Sequence, residues 1–362
     1  MSPLTFAYLI IGLGCLGIGA SVLVGGAARL AARLDVPALT IGLTVVAFGA
    51  SSPGIAVSVR AALQGSGDLV IGNAVGGNIA ILLLFLGLIA LLSPPRVTHR
   101  LLSLDVPVMI AASLATYGLA RDGELSLPDG ALLLIGILAY TALRIVMGRK
   151  DGTAERAQHD LPPVTAGPYR GLIDLGAILM GLALLTAGSH LLIEGALGLG
   201  RSLGLSERVI GLTVIGAGTA LPVFITSLFA TLKGQPDVAV GNLVGSCIFN
   251  LLCVLGLSAL LAPQPLSVSP NVLTFDFPVM LAAAVACLPL FFAGWRVSRW
   301  EGLVLLAYYG VYILYMALFA TGRPQASPLA DAVLNYALPL TAMALLWIAA
   351  WSWYRERGKA PR

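Results

Sequence analysis

Residues 42–88 read GLTVVAFGASSPGIAVSVRAALQGSGDLVIGNAVGGNIAILLLFLGL, and residues 211–257 read GLTVIGAGTALPVFITSLFATLKGQPDVAVGNLVGSCIFNLLCVLGL. The two align without a gap, and 21 of their 47 positions are identical. The echo continues outward, because SLDVPVMIAAS at 103–113 resembles TFDFPVMLAAA at 274–284, and LVGGA at 23–27 resembles LIEGA at 192–196. A duplication therefore covers most of the 362 residues.

Composition says what each copy is made of. The chain is 58% hydrophobic and 10% charged, against about 25% charged residues in a soluble domain, so it belongs in a bilayer. A hydrocarbon core needs roughly 20 apolar residues of helix, and the sequence offers about eleven such segments, the last at 331–354. The 42 glycines suit helices that approach closely where lipid gives no hydrophobic drive. The first segment lacks the basic start of a signal peptide and outruns its apolar stretch of about 7 to 15 residues, so it is read as a membrane helix.

The net charge of +4 is spread over short loops and forms no nucleic-acid patch. Alternate loops carry 16 Lys and Arg on one side, Arg144 included, and 5 on the other. The positive-inside rule then sets the carboxyl tail and central linker in the cytoplasm and the amino terminus in the periplasm, across a bacterial inner membrane whose lipid is the main surrounding. Trp295, Trp300, Trp347, Trp351 and Trp353 sit near expected helix ends as an aromatic belt would. The cysteines lie in apolar runs with no metal spacing, and no nucleophile set or phosphate loop is present, so neither an enzyme nor a cofactor is expected.

Five helices per copy is an odd number, so the second copy enters the membrane from the opposite face. The expected fold is an all-α integral membrane protein with an inverted 5+5 helix repeat plus one extra C-terminal helix. Its parts are a first unit (1–147), a cytoplasmic linker (148–171), a second unit (172–322), and an extra helix with a basic tail (323–362). Inverted repeats place substrate sites near the midplane, where broken helices meet and rocking gives alternating access.

Pro53 and Pro222 are such breaks. Each lacks the N–H that would bond the carbonyl four residues earlier, which belongs to Gly49 and Gly218 respectively. Carbonyls freed in hydrocarbon need a partner: a hydroxyl closing a simple kink, or a cation. Beside them lie Ser51, Ser52 and Thr219, with Asn73, Asn78, Asn242, Ser246 and Asn250 on the following helices. These are the hard oxygens that Na⁺ or Ca²⁺ uses, although Ser and Thr also bond their own helix and Asn joins helices. Asp105 and Asp276 occupy matched positions near helix starts, where a carboxylate suits the helix dipole, and His190 with Glu194 reads as a solvated pair.

The motifs GLTVVAFGASSPG and GLTVIGAGTALPV, each followed by GNxVG, resemble the alpha repeats of the sodium/calcium exchanger family of cation antiporters. The resemblance implies ten helices in two inverted halves over residues 4–321 and exchange of Na⁺ for Ca²⁺ or another cation. It also implies ion-binding roles for Ser51, Thr219, Ser246 and Asn250. Gly49, Gly218 and Asn78 are further candidates. The family pattern has a glutamate after each proline, where Gly54 and Val223 stand here, and its other ligands are replaced by Ala50, Ala220, Gly77 and Ile81. None of the 17 acids is interior to helices two, three, seven or eight, so the resemblance implies an altered selectivity. Two other readings stand beside it: a transport-inactive scaffold of the same fold, or a carrier of a neutral solute through an enlarged cavity.

Overall fold

A computed structural model describes residues 3–34, 38–155, 170–202, 216–292, 295–337, 339–340 and 343. The first half contains α1 (Pro3–Leu34), α2 (Leu39–Leu63), α3 (Gly67–Leu92), α4 (Leu101–Asp122) and α5 (Leu127–Glu155). The second contains α6 (Arg170–Ser202), α7 (Gly216–Leu232), α8 (Pro236–Leu261), α9 (Val272–Phe292) and α10 (Arg299–Ala320). Among the described residues nine helices are long and apolar enough to cross a membrane, and α7 contributes a shorter apolar stretch, Gly218–Leu232. The chain is an all-α, multi-pass membrane protein.

Two helix ends differ from the sequence expectation. The polar run after residue 147 stays helical to Glu155, because an existing helix propagates cheaply through good formers such as Arg, Lys and Ala, and α6 opens at Arg170. Of the eleventh segment the structure describes α11 (Ala326–Ala332) and one wide turn, Val333–Ala337. Trp347, Trp351, Trp353 and the basic tail lie outside the described residues, as do 156–169 and the GLTV that opens the second repeat motif.

Packing makes the inversion visible. Gly12, Gly19 and Gly26 on α1, and Gly181, Gly188 and Gly195 on α6, recur every seven residues. A Cβ at Gly12 would lie 2.9 Å from the Gly188 carbonyl oxygen, and one at Gly19 would lie 2.9 Å from that of Gly181. The backbones touch, and partner numbers fall on one helix as they rise on the other, so α1 and α6 run antiparallel. Since α1 and α6 are repeat equivalents, the two copies are oppositely oriented. At one end of this pair Arg29 Nε meets Asp174 Oδ1 at 2.6 Å.

The loops give the same answer independently. β1 (Glu124–Leu125), after α4, pairs antiparallel with β2 (Leu266–Ser267), before α9. Arg96, between α3 and α4, bridges to Arg296, between α9 and α10. Because α4 spans the bundle, these two junctions sit at its opposite ends, and repeat-equivalent loops therefore lie on opposite faces.

The core lies around α3 and α8, whose most apolar stretches are 72% and 83% buried, against 17% for α10. The outer helices turn Leu13, Ile135, Leu138 and Leu172 outward, as lipid-facing surfaces should. Wide π-type turns recur at matched repeat positions, Ala80–Phe85 with Asn250–Val254 and Leu101–Asp105 with Val272–Asp276. Such turns are rare and free backbone oxygens from the regular ladder, which makes them markers of functional ground.

Candidate functional site

Where α2, α3, α7 and α8 meet, a small polar cavity is lined by Ser51 and Gly54, by Asn73 and Gly77, by Thr219, Ala220 and Val223, and by Asn250. Its free volume is about 10 Å³, close to the ~10–15 Å³ that one water needs. The space admits a single water or a stripped cation. It leaves no room for an organic solute.

The asparagines of the two GN pairs hold the broken helices in place. Asn73 Nδ2 donates to the Gly54 carbonyl at 3.3 Å and to Ser58 Oγ at 2.9 Å. Asn242 Nδ2 repeats the pattern on Val223 at 3.1 Å and Ser227 Oγ at 2.8 Å. Each asparagine thus ties its helix to the residue that stands where the family has glutamate. The amide oxygens diverge, because Asn73 Oδ1 accepts the Thr219 hydroxyl at 2.6 Å whereas Asn242 Oδ1 has no partner. The repeat equivalent of Thr219 is Ala50, which has no hydroxyl to give.

The structure brings Ser51, Thr219 and Asn250 to the cavity wall. The Ser51 Oγ is buried without a hydrogen-bond partner. Thr219 donates its hydroxyl proton to Asn73 Oδ1 and presents a neutral oxygen on the same wall. Asn250 Nδ2 donates to Asn78 Oδ1 at 2.9 Å, and Asn78 Nδ2 donates to the Cys247 carbonyl at 3.0 Å. Asn78 therefore stands one bond behind the wall and fixes Asn250. Ser246 is fully buried with its Oγ unpartnered, but it is not among the lining residues.

Gly49 and Gly218 do not line the cavity, and hydroxyls answer both carbonyls: Ser52 Oγ donates to Gly49 at 2.7 Å and Ser189 Oγ donates to Gly218 at 2.9 Å. The prolines need no ion to satisfy what they free. Of the replaced positions, Gly54, Gly77, Ala220 and Val223 lie on the wall, whereas Ala50 and Ile81 are buried away from it. A Cβ on Gly54 would sit 3.5 Å from Asn73 Nδ2, and one on Gly77 would sit 3.6 Å from Asn250 Nδ2, both ordinary contacts. A side chain therefore fits at both glycines without displacing a neighbour. Among the described residues no group of three acidic, His or Cys side chains could hold a metal ion.

Sequence reasoning kept Asn73 out of the ion-binding set, although the matched GN at 73 and 242 was a signal. It also misread two charges. Asp105 is fully buried rather than capping a helix, and it accepts the Tyr140 hydroxyl at 2.9 Å and faces Arg144 Nε at 3.3 Å. Arg144, 4% exposed in its side chain, is thus an interior ion-pair partner and no topology signal. His190 and Glu194 are exposed on the surface of α6.

Two oppositely oriented helix sets that close on a small, neutral polar cavity define an inverted-repeat, multi-pass membrane protein. The family described as sodium/calcium exchanger protein matches residues 4–146 and 173–318, and the chain belongs to that family. The putative antiporter CaxA of Alkalimonas amylolytica is 38% identical over 317 residues, covering 85% of this chain and 98% of the relative. The sodium/calcium exchanger MaX1 of Methanosarcina acetivorans is 30% identical over 349 residues, covering 87% and 99%. The solved structure of the sodium-calcium exchanger NCX_Mj soaked with 2.5 mM Na⁺ and 0.1 mM Ca²⁺ superposes with a TM-score of 0.73 at 29% identity, over 87% of this chain and 99% of that one. The relatives' names describe antiporters and exchangers, not enzymes.

Proposed function

We propose that the chain exchanges Na⁺ for Ca²⁺ or another cation by alternating access, with Na⁺ lodging against Ser51, Thr219 and Asn250. Ser246 and Asn78 support the site from behind. Gly49 and Gly218 shape the helix breaks and are not needed as ligands. The observation that carries this reading is a buried cavity of one-ion size whose wall offers the unpartnered Ser51 oxygen beside other neutral polar groups and no charge. Neutral dipoles suffice for a monovalent ion, as in carbonyl filters. They offset the larger dehydration cost of Ca²⁺ poorly, so weak Ca²⁺ binding follows. The names of CaxA and MaX1 support antiport.

The two units (1–147 and 172–322) would rock about this cavity, joined by the linker at 148–171 and followed by the extra segment at 323–362. The charge bias supports an inner-membrane orientation with a periplasmic amino terminus, and losing Arg144 from the count leaves that bias large. The test is flux of labelled Na⁺ and Ca²⁺ in vesicles containing the whole chain. Saturable Na⁺ flux driven by an opposing cation gradient is expected. If no cation gradient drives any exchange, antiport is rejected and the scaffold reading takes its place.

A further inference from the structure

The buried acids of α4 and α9 are repeat equivalents in unequal surroundings. The capping residues Ser126 with Asp129 and Ser298 with Glu301 open α5 and α10 and fix their register. In that register Tyr140 matches Tyr312 and Arg144 matches Met316. Asp276, 5% exposed, lies beside Tyr312, in the place where Asp105 accepts the Tyr140 hydroxyl. It has no guanidinium, and its Oδ1 is buried without a hydrogen-bond partner.

Among the described residues, the groups facing Asp276 are uncharged. From α10 come Tyr312 and Tyr315, the latter donating to Asn271, with Tyr309 ringed against Tyr312. α4 lays Tyr117 on the neighbouring Phe277, and the sole ionisable residue of α3, Asp68, is exposed at its start. A carboxylate at this depth without a cation is costly, whereas the neutral acid is tolerated. The cation cavity is close by, because the Tyr312 hydroxyl lies 3.9 Å from where a Cβ on Gly76 would sit, and the next residue, Gly77, is on the cavity wall.

We propose that Asp276 is a proton-binding site of the exchanger, outside the proline motifs, which holds its proton while the cavity is empty and releases it when a cation enters. This rests on the cavity being the cation site. On release the carboxyl O–H bond breaks, its electron pair stays on the carboxylate, the proton passes to water, and the Tyr312 hydroxyl remains to stabilise the anion. A cation and a carboxylate so placed attract across a low dielectric, which links the two events.

Infrared difference spectra of the reconstituted whole chain, with and without Na⁺, test the proposal directly. Loss of a protonated-carboxyl band on Na⁺ addition is expected, and that change should vanish in Asp276→Asn yet persist in Asp105→Asn. Met316→Arg, which supplies the missing cation, should abolish it as well and stands in if Asp276→Asn does not fold. Absence of a Na⁺-sensitive band in the unaltered protein overturns the proposal, as does its survival in Asp276→Asn. In vesicles Asp276→Asn should lose the pH dependence of Na⁺ flux, and a retained dependence overturns it too. A chain with no flux at all rejects antiport, while the spectra still decide the fate of Asp276.

Discussion

Asn73 and Asn242 occupy one place in two copies, and only one of their oxygens is answered. Supplying the absent hydroxyl with Ala50→Thr should therefore stabilise the protein by about 1 kcal/mol, seen as a higher unfolding temperature in detergent. Ser51 is the opposite case. Its hydroxyl has no protein partner, so Ser51→Ala should leave thermal stability nearly unchanged while removing a proposed cation ligand. An interaction of about 1.5–3 kcal/mol with a charged group is then lost, raising the half-saturating Na⁺ concentration roughly 10- to 100-fold. Equal flux parameters for Ser51→Ala and the parent would remove Ser51 from the site.

Among elements, the α1–α6 seam is a direct backbone contact with little room to give. A Cβ on Gly188 would meet the Gly12 carbonyl at 2.8 Å and backbone at Leu16 within 2.9 Å. Gly188→Val should force the helices apart and cost about 1–3 kcal/mol, whereas Gly14→Ala, with open space around it, should be silent in the same melting assay. The α4–α5 contact depends on charge. Arg144→Met leaves Asp105 buried without a cation and should destabilise by about 3–5 kcal/mol, with Asp105→Asn in the same chain restoring much of the loss. The seam's seven-residue period could be read from sequence, but this ion pair could not, because Asp105 and its partners lie on different helices. The same limit hid Ser189, which reaches from α6 to close the Gly218 carbonyl.

For the whole molecule, the proposed weak Ca²⁺ binding can be tested at the two positions that follow the prolines. Gly54 sits beside the Asn73 amide, a donor already aimed at an oxygen, so Gly54→Glu together with Val223→Glu should create a Ca²⁺ site. The expected result is a Ca²⁺-dependent rise in melting temperature that the parent lacks, and no rise would show that the vacated space does not accept the pair. The repeat, spans and proline breaks were legible because they are local patterns written twice. The asymmetry between the copies was only half legible. Sequence shows which ligands are gone, and three-dimensional pairing alone shows which oxygens that leaves unanswered.

The backbone ribbon Glu124–Leu125 with Leu266–Ser267, and the Arg96–Arg296 bridge at the far end, clasp the copies through main-chain amides. Such a clasp places little demand on side-chain identity. An ancestral single unit could have formed it with an upside-down twin before the genes fused. Afterwards either copy was free to mutate its motif without losing alignment with the other.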